Sequence, residues 1–216
     1  MRFQGKNVSD IVLKDNFIIK KVHEDFKYIY DNLLYEYLIG IRLNHQPHFV
    51  ISHKINEVVD EKLLKYDKAS KVYSLQIIPT ELYLEYFDGI PLAQKITSMS
   101  YYQLQKFIIS FISFLQKNLY FRHNDIHWYN ILINDNTFKI IDYARSDILG
   151  ILQYDLPNKK DDIVSIIEML IDCLNSIFCP NKILILKKKR QLYQLRKSLP
   201  KKSHYDLLQE IRYIIE

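Results

Sequence analysis

The stretch HNDIHWYNILINDNTFKIIDYA, residues 123–144, decides how this chain is read. Its apolar runs, Ile131 to Ile133 and Phe138 to Ile141, are too short for a helix and flank the polar cluster Asn134 to Thr137, the pattern of a hairpin. Around that hairpin Asp125, Asn130 and Asp142 follow one another in order. Phosphoryl transfer from ATP asks for a carboxylate to orient the attacking hydroxyl, and for an amide and a second carboxylate to hold Mg²⁺ against the phosphates. A bend between 125 and 130 lets Asp125 and Asn130 converge, and the hairpin returns Asp142 to the same edge. Other readings exist for the parts. His123, Asp125 and His127 alternate as zinc ligands do, but a third convergent ligand is missing and zinc does not require this order. Asp142 alone reads as a turn residue after a strand. The order, not any single residue, carries the argument.

The rest of the chain bounds what that constellation sits in. At 216 residues, 48% of them apolar and 13% aromatic, it fits one domain or one two-lobed unit with a packed core. The formal net charge of +5 is mild, and the basic residues are scattered except for Lys187 to Arg190. That run reads as a solvated helix face, with nucleic-acid or chromatin contact as the minority reading. Cys173 and Cys179 are too few and too close for a disulfide framework, which points to a reduced, intracellular setting. No N-terminal apolar region and no run of about 18 apolar residues occurs, so a soluble protein without a membrane partner is expected.

Along the chain, residues 8–22 give two β-rich runs around Lys14, Asp15 and Asn16, and residues 24–44 place Ile29, Leu33, Tyr37 and Ile41 at helical spacing. β-like runs return at 48–52, 71–78 and 82–87. Beyond Gly89 and Pro91, an apolar helical stripe (Leu104, Phe107, Ile108, Phe111, Phe114, Leu115) runs from about Ser100 to Lys117. A helix apolar nearly all round follows Pro157, and two more polar helices fall near 181–197 and 203–215. The expectation is an α+β fold with a small β-rich N-lobe over 1–87, a boundary at 88–91 and a mostly helical C-lobe over 92–216.

The order HxDxxxxN, a hairpin and Ile-Ile-Asp resembles the catalytic and magnesium loops of the protein-kinase-like fold. Within that fold the stretch is most similar to haspin, an atypical serine/threonine kinase of histone H3. Phe121, Ile126-His127-Trp128 and Asp142-Tyr143-Ala144 stand where haspins carry a phenylalanine, Leu-His-Trp and Asp-Tyr-Thr. The resemblance implies a catalytic Asp125 and metal-binding Asn130 and Asp142. It extends to LEYFDGIPLAQ, 84–94, which looks like the interlobe hinge. There the backbone of Glu85, Tyr86 and Phe87 would meet adenine, with Asp88 or Gly89 near the ribose. Ile18-Ile19-Lys20 resembles the strand whose lysine contacts the α and β phosphates, with Glu36 as its helical partner; Lys21 takes that role if the register slips by one. GKNVSDIV, 5–12, aligns with the glycine-rich loop, keeping Gly5 of three glycines and Val12 as the apolar cover of adenine.

From the resemblance, the expected activity is transfer of the γ-phosphoryl of ATP·Mg²⁺, bound between two lobes, to a protein hydroxyl. Histone H3 is the substrate, and the nucleus or chromatin the location, by resemblance only; the cytoplasm is the other location compatible with the chain. A pseudokinase scaffold and a small-molecule kinase of the choline or aminoglycoside type are the alternatives. Asn124 stands where many kinases carry the arginine that reads a phosphorylated activation loop, so activity without loop phosphorylation is expected. Asp162 resembles the aspartate that supports the catalytic loop, although an Asp at a helix start has a dipole reason of its own.

Overall fold

The structure, a computed structural model, describes residues 2–4, 9–22, 30–67, 72–135, 137–151, 161–199 and 202–216. The protein is α+β, with a β-sheet N-terminal region and a mostly helical C-terminal part, and it divides into two compact units, 1–87 and 88–216.

The first unit is a five-stranded antiparallel sheet in the order β1-β2-β3-β5-β4, carrying one helix. β2 (Ser9–Lys14) and β3 (Phe17–Val22) are joined by Asp15 and Asn16 alone, both with positive φ (50° and 64°), in a tight two-residue connection. Such turns suit Asn and Asp and match the twist of the flanking strands. β1 (Arg2–Gln4) pairs with β2. The runs at 71–78 and 82–87 form a single strand, β5 (Val72–Glu85), instead of two. Its Pro79 lies opposite Glu57 beside a register shift, where a missing N–H is tolerated. The expected strand at 48–52 is displaced: β4 starts at Ser52 and continues to Asp67. Its charged and amide residues hid that length, because a sheet edge accepts polar side chains that periodicity does not flag.

Helix α1 (Tyr30–Leu43) lies against this sheet. Leu33, Ile39 and Leu43 are buried, as are Leu82 and Leu84. Gly40 permits the approach: a Cβ there would stand 1.8 Å from Ser52 Oγ. A residue larger than glycine would push the helix away from the strand.

In the second unit, β6 (Ile90–Pro91) pairs with β8 (Ile131–Ile133), which pairs with β9 (Phe138–Ile140). The hairpin read from 131–141 is therefore present, and it holds the segment just after Gly89. Leu92–Lys95 forms a helical turn, α2. Helix α3 (Tyr101–Lys117) begins with a capping box between Ser100 and Gln103, and every residue of its expected apolar stripe is buried. Phe107, Phe111 and Phe114 surround Phe138 of the hairpin at centroid distances of 5.6–5.9 Å. A ladder not expected from the sequence joins β7 (Phe121–Arg122) to β10 (Asp147–Ile148). Helix α4 (Asp162–Ser176) is mostly buried, and α5 (Lys182–Lys197) and α6 (His204–Ile215) pack on it. Cys173 and Cys179 are free thiols. Burial, then the Asp172 charge, pushes the Cys173 thiol up to about 12, so it behaves as a small apolar core residue. No described helix is long and apolar enough to cross a membrane.

Candidate functional site

In the first unit, antiparallel pairing fixes which side chains share a face. Lys20 stands opposite Ile11 and Leu82, whereas Lys21 stands opposite Asp10 and Glu81. Lys20 therefore shares the face of Leu82 and Leu84, and its Nζ donates to both carboxylate oxygens of Glu36 at 2.8 Å. Glu36 is 2% exposed and the Lys20 side chain 12%. Lys21 instead bonds to Glu81, which also accepts from the Tyr83 hydroxyl and the Asn56 amide. Those contacts, the Lys21 ammonium first, hold the Glu81 carboxyl below the usual carboxylate range. The one-residue ambiguity between the two lysines is resolved by the register.

The same register corrects one expectation. Val12 stands opposite Ile19, which in turn stands opposite Tyr83, on the face away from Lys20. The β2 residues on the Lys20 face are Ile11 and Leu13, so an apolar cover for a base beside Lys20 would come from them. Gly5 lies outside the described residues. At the end of β5, the Glu85 N–H donates to the Ile51 carbonyl at 2.8 Å and the Glu85 carboxylate accepts from the Ile51 N–H at 3.1 Å. The backbone donor expected for adenine thus moves from Glu85 toward Phe87; Tyr86 is exposed and Phe87 half-buried.

In the second unit, the residues from 121 to 147 form a clasp. Asp161 caps α4 by accepting from Ile163 and Val164, so Asp162 is not needed as the cap. Its carboxylate accepts from the backbone N–H of His123 at 2.7 Å and of Asn124 at 2.8 Å. Burial pushes the Asp162 carboxyl up, against the pull of His123 and of the two N–H donors. Asn124, buried with φ of 62°, donates its amide to the Arg145 carbonyl and to the Asp147 carboxylate, each at 2.8 Å. Ser146 donates from Oγ to the His123 carbonyl and from its N–H to Tyr143. The segment after Asp142 is thereby tied to the loop by unmodified polar groups.

Inside the clasp, Asn130 Nδ2 donates to the Asp125 carbonyl at 3.1 Å, closing the bend between the two residues. The Ile141 N–H donates to the Asn130 carbonyl, and the Ile141 carbonyl lies 3.0 Å from His123 Nε2, so Asp142 follows a residue held on both sides by this loop. Asp142 has a φ of 66°, a left-handed conformation of the kind that concentrates at functional sites. The Tyr143 hydroxyl is buried against the Ile140 carbonyl. His127 accepts from the Tyr129 N–H and the Trp128 carbonyl accepts from Ala93, so both residues shape the loop. Arg145 Nη1 is 3.8 Å from Asp125 Oδ2, a cation that the spacing argument did not single out. No motif marks it; its carbonyl accepts from the Asn124 amide.

The donor set fits Mg²⁺. Asn130 spends its amide nitrogen on Asp125, which leaves its oxygen for a cation, and Asp142 adds a carboxylate. One or two such oxygens suffice when substrate phosphates and waters complete the shell. Among the described residues no three His, Cys, Asp or Glu converge as a metal cage, and His123 Nε2 lies against the Ile141 carbonyl. No model of a known protein family matches the chain, and no curated protein matches it.

Proposed function

We propose that the chain is a two-lobed, protein-kinase-like phosphotransferase resembling haspin, which moves the γ-phosphoryl of ATP to a serine or threonine hydroxyl of a protein. The observation that carries this reading is the loop in which Asn130 donates to the Asp125 carbonyl and its own carbonyl accepts from Ile141, the residue before Asp142. The Lys20–Glu36 pair supports it independently, since a two-bonded buried Glu holds a lysine in the orientation that phosphates require.

In this reading Asp125 orients the acceptor hydroxyl and takes its proton as the new O–P bond forms and the bond from the γ-phosphorus to the bridging oxygen breaks, releasing ADP. Lys20 holds the α and β phosphates, and Glu36 fixes Lys20. Asn130 and Asp142 hold Mg²⁺, which when bound neutralises charge on the phosphates. Transfer requires Lys20 and the Asp125 loop to meet the same triphosphate. Because Asn124 ties down the segment after Asp142 without phosphate, the activity needs no loop phosphorylation.

The test is transfer of label from ATP·Mg²⁺ to a histone H3 tail peptide, casein and choline in parallel. Transfer to a protein acceptor, reduced about 10²- to 10⁴-fold by Asp125→Asn and unchanged by phosphatase treatment, is expected. Transfer to choline alone would move the reading to a small-molecule kinase. No transfer and no ATP binding would remove the enzyme reading.

A further inference from the structure

Helix α5 carries charge that no element of the proposed chemistry uses. Its sequence, KILILKKKRQLYQLRK, holds seven cations and no acid, against a net charge of +5 for the whole chain, so everything outside this helix sums to −2. Three of the seven have partners within the protein. Lys188 is buried and donates to the Ile214 and Ile215 carbonyls at the end of α6. Lys189 bonds to Asn175, and Arg196 to Glu168 at 2.6 Å. Lys182, Lys187, Arg190 and Lys197 have no acidic partner among the described residues.

The same face exposes apolar side chains. Ile183 is 81% exposed, Leu186 63% and Tyr193 48%, while Leu192 and Leu195 on the opposite side are buried. At 3.6 residues per turn, Ile183, Leu186, Arg190, Tyr193 and Lys197 fall on one outward stripe, with Lys187 on one flank and Lys182 and Lys189 on the other. A shallow groove along this stripe is lined by Leu186, Lys189, Arg190, Tyr193, Gln194 and Lys197, none of them acidic. In the neighbouring groove beside Lys187, the acid Glu216 is engaged by Arg212 at 2.7 Å.

We infer that the outward face of α5 docks this protein on an anionic lipid surface. A second copy of the chain is disfavoured as the occupant, because it would set the outward cations Lys182, Lys187, Arg190 and Lys197 against their own counterparts. A nucleic-acid backbone would satisfy the cations, but it gives Ile183 and Leu186 nothing to bury against. An anionic bilayer interface takes both: aliphatic tips enter the acyl boundary while lysine and arginine reach the headgroups. Docking of this kind needs no membrane-spanning helix, and it does not depend on the phosphotransferase reading.

The test is flotation of the full chain with phosphatidylserine-containing and with pure phosphatidylcholine vesicles, alongside duplex and single-stranded nucleic acid. The expected result is binding to the anionic vesicles only, lost as salt is raised. Both Ile183→Ser with Leu186→Ser and Lys187→Glu with Arg190→Glu should lower it by about tenfold or more, with melting temperatures unchanged because all four residues lie outside the buried core. Equal binding to neutral vesicles, or no vesicle binding, overturns the inference. So does preferential nucleic-acid binding that survives the Ile183 and Leu186 changes, which would make the face a phosphate-backbone surface.

Discussion

Glu36 in the first unit and Asp162 in the second are both buried acids with a structural task, and the two tasks differ in kind. In the first unit Glu36 holds a side chain, Lys20, through two bonds of 2.8 Å. In the second, Asp162 holds main-chain N–H groups at His123 and Asn124. A side-chain partner can be removed together with the acid, and a buried ion pair replaced by apolar groups of similar volume is often neutral for stability. Main-chain donors stay whatever side chain is substituted, proline apart, so removing the Asp162 carboxylate leaves them buried and unpaired. A site can therefore place a dispensable interaction where a ligand must be gripped, and an indispensable one where a loop must not move.

The largest effect should come from Asp162→Ala. It strands two buried N–H groups at the base of the Asp125 loop and should cost about 4 kcal/mol, read as a lowered denaturant midpoint. Asp162→Asn, which keeps an acceptor, should cost less. If the alanine variant melts like the parent, the contrast between the two acids fails.

Glu36→Ala should come next, at about 3 kcal/mol, because it leaves the largely enclosed Lys20 without its carboxylate. The comparison is sharpened by the double variant Lys20→Met with Glu36→Leu, which should recover most of the stability and none of the transfer activity. Recovery of both would show that the pair is structural only.

The smallest effect is a pH dependence. Lys21, Tyr83 and Asn56 hold Glu81 below the ordinary carboxylate value of about 4.3. A lowered native value means that the unfolded chain binds the proton first, so the stabilisation is full above the ordinary carboxylate value and is lost as pH falls through the lowered native one. Glu81→Gln should cost no more than about 1 kcal/mol near neutrality, and its acid-melting curve should converge with that of the parent as pH falls. A constant gap down to low pH would contradict the assignment.

The elements easiest to read were those with local grammar. Asp15-Asn16 between two β-rich runs, Ser100-x-x-Gln103 before an apolar stripe and the Asn134–Thr137 cluster each specify their structure within a few residues. β4 was illegible because its polar residues carry no period, and the β7–β10 ladder because two-residue strands have no pattern to detect. Lys20 and Lys21 were indistinguishable without the register, and Val12 was misplaced for the same reason: one residue of slip exchanges the faces of a strand. Asp125, Asn130 and Asp142 were visible as a spaced set. Asn124 stood out only as a departure from the usual arginine and Arg145 not at all, since their contacts span twenty residues or more and leave no local pattern.

In the proposed function Asn130 and Asp142 hold a cation against ATP phosphates. Calorimetric titration of ATP into the full chain, with and without Mg²⁺, for the parent and for Asp142→Asn, tests it most directly. The expected result is that Mg²⁺ strengthens ATP binding to the parent and that this gain disappears in the variant. ATP affinity indifferent to Mg²⁺, or a Mg²⁺ effect that survives Asp142→Asn, would contradict it.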